Sequence, residues 1–300
     1  MRPPALLAAA VLIAALAVGC GDDDEDGSGG QRASVIATTP HVADMVRQVA
    51  GDGAEVQSLL PRGADPHGFE PRPSDVRELS RADLVVRSGG EIDHWLEDVL
   101  ESAGGDVRVM TLLDSVRRLG EDPHWWQDPR NGIAAAGAIE RALTDADGPG
   151  REGYASRARR YEEQLRRLDR SIAGCVTRIA PTQRKLVTTH DALGYYARRY
   201  GFEVIGALIP SLSSRAQPSG RDVERLVDQI EREGVKAIFP ESALNSRLEG
   251  AVARESGAEV GGTLYADSLP PSGSYVNSLR LNTETIVEGL TGGESCRPEA

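Results

Sequence analysis

Aromatic side chains, lysines, cysteines and long apolar runs are all scarce in this 300-residue chain. Aromatics make up 4% of it. That counts against a receptor for a bulky metal chelate such as a siderophore or cobalamin, whose wide pocket needs rings and arginines for its lining. Only two residues are lysine, against 32 arginines, a skew attributable to genome composition rather than to arginine chemistry. The formal net charge of −12 argues against a nucleic-acid binder, which would show a basic face. The apolar stretch Ala5–Val18 is fourteen residues long, short of the ~20 that span a bilayer. There are three cysteines, Cys20, Cys175 and Cys296, too few for a disulfide framework to replace a core.

What is present begins at the N-terminus. Met1-Arg2 supplies a positive charge, the apolar stretch follows, and small residues lead to Ala17-Val18-Gly19-Cys20. This is the layout of a secretory signal. It resembles a bacterial lipobox, which implies removal of residues 1–19 and lipidation of Cys20 as the mature N-terminus; an ordinary cleaved signal with a chance cysteine is the alternative. Asp22–Gly30 is acidic and then Gly/Ser-rich. Such a run cannot bury apolar surface, so residues 20–33 are expected to form a disordered tether. Cys175 and Cys296 then lie in exported chain, where a disulfide can persist. Two buried free thiols are the alternative.

From Ser34 the pattern alternates. Strands are expected at Ser34–Thr39, Val56–Leu60, Asp83–Arg87 and Val107–Leu112. Helices are expected from Pro40, from an N-cap at Ser74, over Asp93–Ser102, and from a cap at Asn131 to Leu143. Strands alternating with helices imply parallel βα units. Between Arg151 and Ile179 the alternation stops. Tyr154, Ala158, Tyr161, Leu165, Leu168, Ile172, Val176 and Ile179 recur at spacings of three and four, which predicts one helix roughly 45 Å long. The spacing is nearly that of a coiled-coil dimer. A strut packed along two βα blocks is the other reading, favoured because blocks of similar size flank the helix. Alternation resumes with strands at Lys185–Thr189, Glu203–Ile209, Lys236–Phe239 and Glu259–Tyr265. Helices follow a cap at Asp191, a Ser219/Asp222 capping box, Asn245, and a loop ending near Tyr275.

Histidine is also rare, with five in the chain, and two of these sit in the same tripeptide: Asp65-Pro66-His67 and Asp122-Pro123-His124. The first lies in LPRGADPHGFEPRPSDVRELS, where Pro61, Pro66, Pro71 and Pro73 stiffen the loop. His190 and Asp267 each follow an expected strand, as the two tripeptide histidines do. In open α/β sheets the carboxyl ends of strands line the ligand crevice. Three imidazoles and one carboxylate form a closed four-coordinate set for a divalent transition metal. Asp65 and Asp122 are candidates to accept from the other ring nitrogen of their histidines. His41 and His94 fit no such pattern and are expected to be structural or exposed. Trp125 and Trp126 either shield the site from water or belong to an interface core.

PRGADPHGFEPRPSD, DPHWWQDP, THDALGYYARRYG and LYADSL together resemble the metal-binding receptors of zinc and manganese ABC importers, the solute-binding lipoproteins of that class, over about Ser34 to Leu290. The resemblance implies that His67, His124, His190 and Asp267 ligate the metal. It implies an α/β fold with two parallel-sheet βα lobes, here 34–148 and 181–300, joined by one long backbone helix at 149–180, with the site in the inter-lobe cleft. It implies Zn²⁺ or Mn²⁺ as the transported ligand, an ABC permease as partner, and a lipid-anchored monomer on the extracytoplasmic face of the cell membrane. Many zinc members carry a histidine-rich loop before the second ligand; Leu112–Asp122 holds no histidine. The competing reading is a metal-dependent hydrolase. A catalytic zinc keeps an open position and a nearby general base, whereas here Asp267 fills the fourth position and no glutamate stands beside a ligand histidine.

Overall fold

β1 (Ala33–Ala37), β2 (Ala54–Ser58), β3 (Leu84–Arg87) and β4 (Arg108–Thr111) form a parallel sheet in the order β2-β1-β3-β4. The computed structural model describes residues 32–104 and 107–300. The expected signal peptide, Cys20 and nearly all of the tether lie outside the described residues. β1 begins at the last tether position. The central strands carry apolar residues on both faces because both faces are covered. Val35, Ala37, Leu84 and Val86 enter one core, and Ile36 and Val85 the other.

The helices of this half are α1 (Pro40–Ala50), α2 (Pro73–Leu79), α3 (Leu96–Ala103) and α4 (Pro129–Ala146). Three of them open on proline, whose missing N–H would have no partner in a first turn. This displaces two expected caps. Ser74 is the second residue of α2, and Asp75 accepts the Arg72 N–H at 2.7 Å. Asp128, not Asn131, caps α4 by accepting the Arg130 N–H at 2.9 Å. Asn131 is buried and bonds the chain at Arg117 and Trp125. Asp93 does not start α3. Its carboxylate accepts from the Ser88 N–H at 2.7 Å, the Gly89 N–H at 3.0 Å and the Thr38 hydroxyl at 2.7 Å, fastening the carboxyl ends of β1 and β3.

α5 (Arg151–Val176) has 26 residues, so it is ~39 Å long. Its apolar stripe is buried by its own chain, against α1, α4 and α9 (Tyr275–Thr291). No such stripe is left for a coiled-coil partner, so the strut reading holds.

In the second half β5 (Lys185–His190) pairs in parallel with β6 (Glu203–Ile209), and β7 (Ala237–Ile238) with β8 (Glu259–Val260). A parallel Thr188–Phe239 bridge joins the two pairs. α6 (Gly194–Tyr200), α7 (Gly220–Glu233) and α8 (Arg247–Ser256) complete it. Asp191 does not cap α6, which starts three residues later with no side-chain cap. The strand expected over Glu259–Tyr265 ends after two residues, before Gly262 at φ 125°, and Leu264 keeps a lone parallel bridge to Glu241.

Cys175, late in α5, is joined to Cys296 by a disulfide with Cα atoms 5.6 Å apart. The tail is further held by Arg178 donating to the Ser295 carbonyl at 2.9 Å and Arg280 to that of Pro298 at 2.7 Å. The sequence separation is 121 residues, so opening the bridge is expected to cost on the order of 4–5 kcal/mol in the chain-entropy model. Denaturant unfolding of Cys296→Ser beside the parent checks this, and a thiol count on unreduced, denatured mature protein should find neither cysteine free.

Candidate metal centre

His67, His124, His190 and Asp267 are all buried, and one ligand atom from each lies within 4.8 Å of every other. Four separate segments deliver them. His67 sits in a 3-10 turn, Pro66–Gly68, whose entry is fixed by Asp65 accepting the His67 N–H at 3.0 Å. His124 precedes another such turn, Trp125–Gln127. His190 is the last residue of β5. Asp267 follows the Leu264 bridge, and the preceding Ala266 carbonyl accepts from Trp126 Nε1 at 2.8 Å and Gln127 Nε2 at 2.9 Å. The loops of the first sheet thus grip the segment that carries the fourth residue.

All three imidazoles point Nε2 inward. His124 Nε2 is 3.4 Å from that of His67 and 3.3 Å from that of His190. Asp267 Oδ2 is 3.3 Å from His67 Nε2 and 3.2 Å from His190 Nε2, and Oδ1 is 3.5 Å from His124 Nε2. A tetrahedral ion with bonds of 2.0–2.1 Å spaces its ligand atoms about 3.3–3.4 Å apart. The five distances, taken to whichever Asp267 oxygen is nearer, lie close to that spacing. Asp267 Oδ1 is buried and accepts no hydrogen bond from the described residues, an acceptor that a bound cation would satisfy.

The outer ring nitrogens separate the three histidines. Asp122 Oδ1 accepts from both His124 N–H, at 2.9 Å, and His124 Nδ1, at 2.7 Å, as its tripeptide suggests. Gly194 makes this approach possible: a Cβ there would lie 2.6 Å from Asp122 Oδ2. Asp65 does not act this way. Its second oxygen accepts from the Ser214 hydroxyl at 2.6 Å, so it joins the His67 loop to the opposite half of the chain. His190 is clamped by a residue that the sequence reading missed. Glu241 Oε1 accepts the His190 N–H at 2.8 Å, and Oε2 accepts from Nδ1 at 2.7 Å. The absence of a glutamate beside a ligand histidine is thereby corrected. Glu241 lies on the ring nitrogen facing away from the site, where it orients His190 and fixes its tautomer. The available signal was positional, since Glu241 follows β7 as the ligands follow their strands.

Burial alone would pull the His190 imidazole down, but Asp267 and Glu241 outweigh it and hold its pKa well above the ordinary histidine value. Burial would likewise raise Asp267, yet His124 and His190 keep its carboxyl well below the usual range. The two shifts have one cause, since each charged group favours the charged form of the other.

Trp126 packs edge-on against His124, with ring centroids 5.5 Å apart, and shields the site. Trp125 donates to the Ser88 hydroxyl at 3.0 Å, and both tryptophans belong to a core that also takes in Leu186, Phe239 and Leu264 of the second half. His41 is buried and stacked on Trp126, and burial lowers its pKa to about 4. His94 is exposed and bonds the Glu91 carbonyl. Neither belongs to the cluster. Arg62 donates to the carbonyls of Pro270, at 3.2 Å, and Gly273, at 2.5 Å, in the loop after Asp267.

The family model described as ZnuA, zinc-uptake complex component A, periplasmic, matches residues 35–289. The manganese-binding lipoprotein MntA of Bacillus subtilis is 33% identical over 95% of this chain and 98% of its own. The iron-binding protein YfeA of Yersinia pestis is 29% identical over 85% and 86%. Among solved structures, the periplasmic zinc-binding protein TroA of Treponema pallidum superposes with a TM-score of 0.81 at 27% identity, over 86% of this chain and 99% of its own. A manganese-bound periplasmic metal-binding protein of Candidatus Liberibacter asiaticus does so at 0.77 and 26%, over 86% and 100%. With the match running from β1 into α9, the chain belongs to the ZnuA family, the substrate-binding components of metal ABC importers rather than enzymes.

Proposed function

We propose that this chain captures one divalent transition-metal cation, Zn²⁺ or Mn²⁺, through Nε2 of His67, His124 and His190 and the Asp267 carboxylate, and delivers it to an ABC permease. The observation that carries the reading is the convergence of these buried atoms, with five of their separations at 3.2–3.5 Å when either Asp267 oxygen is counted. The metal is cargo, so the site needs affinity and a route of release but no reacting group. The hydrolase reading gains nothing from Glu241, which faces away from the coordination side. Protein purified without chelator is expected to carry one equivalent of metal, and competition between Zn²⁺ and Mn²⁺ ranks the two. Metal-free protein that gains neither bound ion nor thermal stability on adding either would refute the proposal.

The same reading takes residues 34–148 and 181–300 as two lobes on the 149–180 helix, with the site between them. Asp65–Ser214 and Arg62–Gly273 are contacts that opening would break. It places the mature protein on the outer face of the membrane through lipidated Cys20, as a monomer. Cys20→Ala should release the protein from the membrane or leave it unprocessed; unchanged attachment on fractionation overturns the anchor, and sedimentation of the soluble part checks the monomer.

A further inference from the structure

Glu249, on α8, is 1% exposed, and no cation pairs with it among the described residues. Its Oε1 accepts the Thr189 hydroxyl at 2.5 Å, while Oε2 is buried with no hydrogen-bond partner. An unpartnered buried oxygen costs stability. The neighbouring buried residues of α8 are Val252 and Ala253, so leucine or methionine would serve the packing without that cost. The carboxylate is explained by the one bond it makes.

That bond leads to the metal site. Thr189 Oγ1 accepts the Glu241 N–H at 3.1 Å, and Glu241 clamps His190 at two atoms. The same short segment reaches the fourth candidate ligand. The Pro240 carbonyl accepts the Leu264 N–H at 2.8 Å, the Leu264 carbonyl accepts the Ser242 N–H at 2.9 Å, and the Ser242 and Ser268 hydroxyls meet at 2.7 Å. Residues 240–242 thus hold His190 on one side and the Asp267 segment on the other. The Thr189–Glu249 bond adds a side-chain link from them to α8, beside the packing of Val252 and Ala253 with Ile238.

We infer that Glu249 is a positioning residue for the metal site, fixing through Thr189 the segment that orients His190 and Asp267, so that the seating of α8 sets metal affinity. This rests on the four-residue site proposed above. Only residues that touch the ion are ligands here; Glu249 acts through two intermediaries and is expected to have a smaller effect than any of them.

The test is chelator competition with Zn²⁺ and with Mn²⁺ on the mature protein, together with thermal unfolding of the metal-free form. Glu249→Met is expected to weaken binding on the order of tenfold, the lower end for outer supports of a metal ligand, without lowering the metal-free melting temperature. Glu249→Gln, which can still accept from Thr189, should restore most of the affinity. In a His190→Ala background Glu249→Met should cost less than it does in the parent, because the part of its effect that passes through His190 is already gone. Thr189→Val removes the same bond by another route and carries the test if Glu249→Met does not fold. Wild-type affinity in both Glu249→Met and Thr189→Val, equal losses in the methionine and glutamine variants, or a full additional loss in the His190→Ala background would each overturn the inference. Wild type and His67→Ala binding alike would instead refute the four-residue site itself.

Discussion

His190→Ala is expected to lower metal affinity by more than about 100-fold, since loss of an outer support alone costs 10–100-fold. The substitution removes a donor at 3.2–3.3 Å from two others and leaves Glu241 buried without its imidazole partner. His67→Ala and His124→Ala should fall in the same range. Asp267→Asn tests a different quantity. The shape is kept, but the negative charge among the inward-facing donors is lost, so affinity for a dication should drop while the metal-free fold persists. His94→Ala is the control, because that side chain lies at the surface beside Glu91. His41→Ala is a poorer control, since His41 stacks on Trp126, which in turn packs on His124. Isothermal titration of these variants is decisive: wild-type affinity in both His190→Ala and Asp267→Asn would mean that the second half of the chain contributes nothing to binding.

The two Asp-Pro-His tripeptides show what could and could not be read from sequence. Both place a carboxylate two residues before an imidazole, and in both that carboxylate accepts the histidine N–H. This much is local, set by the proline and the turn. Whether the carboxylate also reaches the ring is not local. At Asp122 it does; at Asp65 the second oxygen is claimed by Ser214, 149 residues away. Glu241 was missed for the same reason, since its partner His190 lies 51 residues away and nothing in the intervening pattern links them. α5 was legible because its apolar positions repeat over seven turns and its entire stripe is buried. Helix starts were less legible. Ser74 and Asn131 have the chemistry of caps, but proline one or two residues earlier had already begun the helix. β8 was overread because Gly261 and Gly262, which end it, sit within an otherwise strand-like run.

Metal binding is expected to expel a proton from His190 and to strengthen as pH rises, well past the ordinary histidine midpoint. An imidazole must offer Nε2 unprotonated to ligate. In the metal-free site burial opposes the charged form of His190, but Asp267 and Glu241 prevail and keep its pKa well above 6.5. The sign follows from linkage. A raised base stabilises the metal-free fold fully below about 6.5, and this contribution is lost as pH climbs through the folded value. Asp267, held low, contributes stability above its unfolded value near 4, lost only as pH falls through its depressed one. Between these limits the metal-free cluster is at its most stable, and the ion must displace a proton to enter. Each pH unit below the His190 value then weakens binding about tenfold, roughly 1.4 kcal/mol, for one proton displaced. Calorimetric titration at pH 7 in buffers of different ionisation enthalpy reads the proton directly; none released would show that His190 is neutral in the empty site. Glu241→Gln separates cause from coincidence. It keeps an acceptor at Nδ1 but removes one of the two charges that raise His190, so proton release at pH 7 should shrink and the rise of affinity with pH should shift to lower pH. An unchanged profile in Glu241→Gln would leave Asp267 as the sole source of the shift and strip Glu241 of any electrostatic role at the site.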